Sequence, residues 1–223
     1  MNYKINDGVC KLDFELSKLE KQLFREFENI LESKGFNYLS VPTSIYTDTL
    51  TKQDINCNTL VIDNIHILAG SAEQGILEYF SDSYVKPILI YAKNQCFRHE
   101  NYEYEGLKRC KEFLKLEQYC FCYKNEWENS FEMLLNNATS FLNTYNIKHR
   151  IVDVTNKDEG YHIKKYDIEI YTKTYGWLES HSCTYFGEEQ TKRFNITGAT
   201  YTISNTGIAS PRILIPFIER SKK

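Results

Sequence analysis

No Cys-x-x-Cys pair occurs among the seven cysteines of this 223-residue chain (Cys10, Cys57, Cys96, Cys110, Cys120, Cys122 and Cys183). The odd count and the lack of a partnering histidine at ligand spacing read as reduced thiols and no zinc. An excess of positive charge is missing too. The formal net charge is −3 and the pI near 6.0, so no global basic field is available to hold nucleic acid, and any such partner must be met locally. No apolar run approaches the roughly 20 residues that span a bilayer, and the opening MNYKINDGVCKLDFEL has no apolar leader core. The expectation is a cytoplasmic protein without a membrane partner. Repeats, low-complexity tracts and linkers are absent as well. The chain is therefore read as a single domain, residues 1–223, long enough to bury a proper core.

Helical and strand patterns alternate along it. From Lys11 to Ser33 the residues Leu12, Leu16, Leu19, Leu23, Phe27, Ile30 and Leu31 recur at helical spacing, and Lys34-Gly35 ends the run. FNYLSVP reads as a strand stopped at Pro42, and TLVIDNIHILAG as a hairpin turning at Asp63-Asn64. A helix is expected over Glu73–Ser81, then strands at PILIYA, QCFRHE and RCKEFLKLEQYCFC. An amphipathic helix follows with Phe131, Leu134, Leu135 and Phe141 inward, then strands at HRIVDV, KKYDIEIYT and WLESHSCTYF. ATYTIS leads into a final helix whose opening carries Gly207 and small residues. This is an α+β pattern, an antiparallel β-sheet flanked by helices.

The stretch CFRHENYEYEGLKRCKEFLKLEQ stands out for its charge. Residues two apart on a strand share a face, so Arg98 and Glu100 point one way, as do Arg109, Lys111, Phe113, Lys115 and Glu117. Arginines suit phosphates because their planar fork gives bidentate, charge-assisted hydrogen bonds, and one aromatic ring among them can carry a base. Glu179 and Ser182 lie three apart on a strand, so a bulge is needed to bring both to one face, where they could hold a nucleotide-bound Mg²⁺. Singly, each residue has a plainer explanation: Arg and Glu as solvated cross-strand pairs, Phe113 as core, Glu73 as an acid favoured at a helix start. His181 beside Ser182 has no acid or oxyanion context for a nucleophile. The ordered set is not covered by such readings.

That set resembles the catalytic domain of class II aminoacyl-tRNA synthetases, most closely the seryl type, in truncated form. The helix and strand ending at Pro42 look like the family's first motif. FRHE followed by GLKRCKEFLKLEQ looks like its second, and GIASPRILIPFIE like its third, with Arg212 as the signature arginine. AGSAEQ resembles the seryl TxE segment with Ser71 in place of Thr, and KKYDIEIY and LESHSCTYFGEEQTKR resemble the stretch that runs to a QxRR-like end. The resemblance implies ATP and Mg²⁺ as cofactors. Arg98 would hold the α-phosphate and the amino-acid carboxylate, and Arg109 and Arg212 the γ-phosphate. Phe113 would stack on adenine, and Glu100 would meet its amino group. Glu179 and Ser182 would hold the metal. Glu73 would take the substrate ammonium, while Glu117 and Thr206 would recognise a small hydroxyl side chain. It implies a homodimer paired through the first motif. Zinc-using relatives place cysteines at positions that here hold Ser71 to Glu73 and Thr206, so no zinc is expected.

The chain also departs from the family. Only about ten residues precede the first helix where a seryl enzyme carries a long tRNA-binding helical hairpin, and the loop NYEYEGLK is short and acidic where the family's touches tRNA. Pro216 should kink the last helix. The expectation is an amino-acid-adenylating ligase that passes a small, serine-like acyl group to a non-tRNA acceptor such as a carrier protein, with Lys108 and Lys111 as docking cations. The alternatives are a minimal seryl-tRNA synthetase charging tRNA with assistance, or an inactive paralogue that binds or regulates.

Overall fold

The computed structural model describes residues 2–53, 59–99, 105–158 and 160–221. Glu100, Glu103 and Cys57 lie outside them. The chain opens with a hairpin of β1 (Tyr3–Asn6) and β2 (Val9–Leu12), turned at Asp7-Gly8 with φ of 48° and 72°. Asp-Gly favours that two-residue turn because positive φ at both positions follows the twist of the strands. Lys11 and Leu12, expected in a helix, therefore belong to β2. Helix α1 runs Phe14–Ser33, capped by Asp13, which accepts from the Leu16 N–H at 2.9 Å. Its Leu16, Leu23, Phe27 and Leu31 are buried as the periodicity requires. Gly35, at φ 83°, closes it with N–H bonds from Gly35 to Glu32 and from Phe36 to Leu31.

After β3 (Asn37–Tyr38), β4 (Ser44–Tyr46) and α2 (Thr47–Gln53) comes β5 (His66–Leu68). Asp63 holds the expected turn by accepting from the N–H groups of Ile65 and His66 at 2.7 and 2.8 Å. The hairpin amounts to one bridge, Val61 to Ile67, because β5 pairs with β4. Then follow α3 (Ala72–Phe80), β6 (Tyr84–Val85), β7 (Ile88–Phe97), β8 (Glu112–Cys122), α4 (Trp127–Thr144), β9 (His149–Asp153), β10 (Lys164–Thr172), β11 (Gly176–Gly187), α5 (Glu189–Arg193), β12 (Thr197–Gly198), β13 (Tyr201–Ser210) and α6 (Ile215–Ser221).

Seven strands form the main sheet in the order β3-β7-β8-β13-β11-β10-β9. Only the β3–β7 edge is parallel; the remaining pairs are antiparallel. The expected α+β architecture is present. Along β8 the faces alternate. Leu116, Cys120 and Cys122 join the apolar cluster that includes residues of α1, α4 and α6, while Tyr119 and Phe121 join a second cluster with residues of α3. By period two, Phe113, Lys115 and Glu117 share the α3 side. Each fully buried Leu or Phe contributes about 1.5–3 kcal/mol, so the rear cluster fixes the sheet and frees the front for polar work. Arg98 and Arg109 sit just beyond the strands, since β7 stops at Phe97 and β8 starts at Glu112. The ladder runs one step further, through the Arg98 N–H to the Lys111 carbonyl at 2.9 Å.

Two expectations about the end of the chain are corrected. The small residues after Ser204 do not open a helix: β13 continues to Ser210, and helical turns begin at Arg212. Gly207 stands at a register slip between Thr206 and Ile208. A Cβ there would lie 2.6 Å from Phe27 Cε1 and 2.7 Å from Leu116 Cδ2, so glycine is what lets the sheet approach α1. Pro216 does not break a helix interior. A 3₁₀ turn over Arg212–Leu214 passes into α6, and Pro216 falls in the first turn of α6, where its missing N–H removes no intrahelical bond.

Candidate active site

Two chambers meet on the front of the sheet. The first is a cleft lined by Arg98, Arg109, Phe113, Glu179 and Arg212, with Lys108 and Pro211 at its side. The second is a cavity of about 460 Å³ lined by Ser71, Glu73, Glu117, Ser182 and Ser204, among others. Arg98, Lys115 and Thr206 line both. Every candidate for nucleotide, metal or amino-acid binding named from the sequence lines one chamber or both, except Glu100, which is outside the described residues; of the two docking cations Lys108 lines the cleft and Lys111 neither.

The cleft gathers three guanidinium groups. Arg212 donates from Nε to the Lys108 carbonyl at 3.0 Å and from Nη1 to the Glu179 carbonyl at 2.7 Å. Main-chain acceptors orient the fork without neutralising it. Burial holds the guanidinium below the usual arginine range; the Glu179 carboxylate works against that, and nearby Arg98 and Arg109 add to it. Three like charges in one cleft are tolerable when an anion is to sit among them. Arg98 donates from Nε and Nη2 to the Gly70 carbonyl at 3.4 and 3.3 Å, and its Cζ lies 5.4 Å from the Phe113 ring centroid. Half-buried Phe113 keeps one edge toward the cleft.

The second chamber has the opposite character. Glu117 is 2 % exposed. Its Oε1 accepts from the Ser71 hydroxyl at 2.6 Å and pairs with Lys115, while its Oε2 is buried without a hydrogen-bond partner. Ser71 also caps α3, accepting from the Glu73 N–H at 3.4 Å. Glu73 Oε1 accepts from Gln53 at 3.1 Å and from Gln190 at 2.6 Å. Gln190 is itself pinned, its Oε1 accepting from the Tyr119 and Thr202 hydroxyls at 2.6 and 2.8 Å. Burial, and after it the Glu117 carboxylate, raise the pKa of Glu73. A buried carboxylate with only neutral donors on it is a site for a cation.

The spacing of Glu179 and Ser182 called for a bulge, and one is present. Ile168 pairs with His181 and Glu169 with Glu179, so Ser180 is the extra residue on β11. The slip brings Glu179 to the side that Ser182 occupies. His181 faces the rear, 1 % exposed and without a partner, and burial holds it down at about 3, so it serves neither chamber. Among the described residues no group of three or more His, Cys, Asp and Glu side chains could hold a metal. Glu179 and Ser182 fit a nucleotide-bound Mg²⁺ in another way, as two oxygen donors beside phosphates and water. The Ser182 hydroxyl lies across from Asp167, whose carboxyl it holds down by hydrogen bonding.

Several residues here were not picked out from the sequence. Lys115 was read only as part of a charged face, and Gln190 only as part of a motif. Gln53, Tyr161 and His162 line the second chamber from segments with no motif signal, and Lys165 from a segment read only as part of a motif. Asp167 pairs in register with Ser182 and is pushed up to about 6 by burial and by Glu179. Only its place on an alternating strand with Lys165 could have pointed to it.

Residues 60–216 match the tRNA synthetase class II core domain (G, H, P, S and T), and the chain belongs to that family. It is similar to the serine–tRNA ligase of Deinococcus radiodurans, 30% identical over 224 aligned residues that cover 87% of this chain and 52% of that protein. A serine–tRNA ligase of Thermococcus sibiricus is 32% identical over 72% of this chain and 38% of its own length. The fold is shared with a Pyrococcus horikoshii seryl-tRNA synthetase complexed with ATP (TM-score 0.87, 23% identity, 96% of this chain and 53% of that one). It is shared too with a Naegleria fowleri serine–tRNA ligase in complex with AMP (TM-score 0.87, 21% identity, 97% and 51%). The chain spans about half the length of the Deinococcus relative and of both solved chains. No described helix is long and apolar enough to cross a membrane.

The raised pKa of Glu73 has a consequence for stability. A carboxyl whose pKa is higher in the fold than in the unfolded chain loses stability as pH rises from the ordinary carboxylate range through the raised value. Glu73→Gln removes that loss, and its amide oxygen can still accept from Gln53 and Gln190. In ligand-free protein we expect the variant to be the more stable one near about pH 7, with the difference fading toward about pH 4. Urea unfolding across that range measures it. A variant less stable than its parent at neutral pH would mean that a cation already compensates the carboxylate.

Proposed function

We propose that this chain activates a small, serine-like amino acid with ATP, forming an aminoacyl-adenylate and releasing pyrophosphate. The observation that carries the reading is the position of Arg98 on both chambers. An adenylate is a nucleotide joined to an amino acid at the α-phosphate, and one guanidinium at the junction can grip both halves. The ligands of the two seryl neighbours, ATP and AMP, agree with a nucleotide in the arginine cleft.

In this mechanism a carboxylate oxygen of the amino acid attacks the α-phosphorus. The bond from that phosphorus to the bridging oxygen breaks, and pyrophosphate departs with the electron pair. No enzyme nucleophile is needed. Arg98 draws the carboxylate and the α-phosphate together and stabilises the charge that grows on the latter. Arg109 and Arg212 hold the terminal phosphate, and Phe113 stacks on the base. Glu73 takes the ammonium, whose charge returns its pKa toward the ordinary range. The unpartnered Oε2 of Glu117 accepts from a substrate hydroxyl, with Thr206 beside it. A substrate lacking that hydroxyl leaves a buried acceptor unmet, which costs about 1–3 kcal/mol. Glu179 and Ser182 would hold Mg²⁺, which supplies charge neutralisation to the triphosphate when bound. Pro216 falls in the first turn of α6, which weakens one of the two departures that favour an inactive paralogue; the other, the short acidic loop, lies partly outside the described residues.

Pyrophosphate exchange into ATP should therefore depend on serine or another small amino acid and on Mg²⁺. Arg98→Ala should cost about 2.7–4 kcal/mol, or on the order of 10²–10³ in rate, with the fold intact by circular dichroism. Silence against all twenty amino acids at high protein concentration would favour the inactive paralogue.

The acceptor in this reading is an acidic carrier protein. Glu105 pairs at 2.6 Å with Lys108, which lines the cleft, and an acidic group there opposes a nucleic-acid phosphate. Lys108 and Lys111 remain the docking cations. A purified carrier protein should accept the acyl group, whereas total host tRNA should not be charged by this chain. Efficient charging of tRNA would sink the carrier reading and promote a minimal seryl-tRNA synthetase.

The reading includes a homodimer through α1 and β3. Tyr38 of β3 is 53 % exposed and Phe14 of α1 is 94 % exposed, and a two-fold pair is the commonest assembly. Sedimentation equilibrium at micromolar concentration should give twice the chain mass, and a monomer would remove the dimer from the proposal.

A further inference from the structure

Lys115 sits at the junction of the two chambers and has no part in the chemistry described so far. It lines both of them, as Arg98 and Thr206 do. Its side chain is 12 % exposed, and its backbone is held on either side, across from Asn94 of β7 and Ala209 of β13. Glu117 follows two residues later on the same face, and the two side chains pair. Two donors thus reach one oxygen. The Ser71 hydroxyl comes to Glu117 Oε1 from the cap of α3 at 2.6 Å, and the Lys115 ammonium comes to it from β8. Oε2 is left buried and without a partner, and Thr206 stands opposite Glu117 in register. A paired cation is what makes a carboxylate tolerable in so dry a place; without it, desolvation favours the protonated acid. An ionised acceptor also holds a hydroxyl about twice as strongly as a neutral one.

We propose that Lys115 is a positioning residue: it holds Glu117 by Oε1 and leaves Oε2 as the acceptor that selects a hydroxyl-bearing amino acid. This rests on the reading of the second chamber as the amino-acid site, with Glu117 meeting the substrate hydroxyl. Acting through Glu117, Lys115 bears on serine more than on alanine, which has no hydroxyl to meet Oε2.

The test is pyrophosphate exchange into ATP, with serine and with alanine, in the parent, Lys115→Met and Lys115→Arg. Methionine approximates the length of the side chain and removes its charge. We expect the serine-to-alanine ratio of kcat/KM to fall about tenfold in Lys115→Met near neutral pH, through the KM for serine. The ratio should climb back as pH rises and Glu117 ionises unaided, a profile that mere loosening of the fold would not produce. Lys115→Arg keeps the charge and should recover most of the ratio. An equal fall for both amino acids would overturn the proposal, because Lys115 would then act on the phosphate or carboxylate that the two reactions share. An unchanged ratio would overturn it too, while serine-dependent exchange by the parent would leave the adenylation reading standing. A parent silent with every amino acid would overturn both. Should Lys115→Met not fold, Lys115→Gln decides, since its amide can donate to Oε1 without charge. The same pH-dependent fall is expected of it, and an unchanged ratio there overturns the proposal.

Discussion

Two carboxylates, Glu73 and Glu117, share one buried chamber, and much of the surrounding structure exists to tolerate them. Lys115 pairs with Glu117 and Ser71 donates to it, while two glutamines donate to Glu73. Those partners come from β8, α2 and α5 and from the cap of α3, so the chamber draws separate elements into one network. Gln190 shows how deep the support goes. It reaches Glu73 only because Tyr119 and Thr202 hold its oxygen from behind. Such a network is stabilising only when complete, because a half-satisfied one leaves desolvated groups unmet. The unpartnered Glu117 Oε2 is the gap left open, on a residue that lines the chamber.

The sheet achieves this arrangement with two irregularities. At Ser180 an extra residue on β11 brings Glu179 round to the front, and at Gly207 an extra residue on β13 does the same for the alternation around Thr206 and Ala209. A regular ladder would send Glu179 and Ser182 to opposite faces. Thr206 and Ala209 would part in the same way. The rear cluster under α1 and α4 absorbs the second bulge only because Gly207 has no side chain to meet Phe27 and Leu116. Packing behind the sheet and chemistry in front of it are thus set by the same residue.

Legibility in the sequence followed the range of the interactions. Helix α1, its glycine stop and the inward face of α4 were readable because periodicity and capping are local. The need for a bulge between Glu179 and Ser182 was readable from parity alone. The Asp7-Gly8 turn carried a local signal, yet the helical spacing of Leu12 outweighed it, and Lys11 and Leu12 were assigned to the wrong element. Small residues after Ser204 looked like a helix start because nothing local reveals that Phe27, far away in sequence, requires Gly207 in a strand. Asp167 was read only as part of a motif, and its place across from Ser182 needs the register of β10 on β11. Ser71 was read for its place in a motif. That its hydroxyl both caps α3 and donates to Glu117 depends on strands brought together by the whole sheet.

Charge balance ties the two chambers into one device. The cleft carries three guanidinium groups and the chamber two buried carboxylates, with Arg98 and Lys115 between them. An anion entering the cleft alone, or an ammonium entering the chamber alone, relieves half of the tension. A ligand with phosphate at one end and ammonium at the other relieves both. Because Glu73 is held above the ordinary carboxylate range while empty, an ammonium that favours its ionised form must displace whatever proton it holds. In the proposed function, amino-acid affinity would therefore be coupled to pH through Glu73, weakening as pH falls below its raised value.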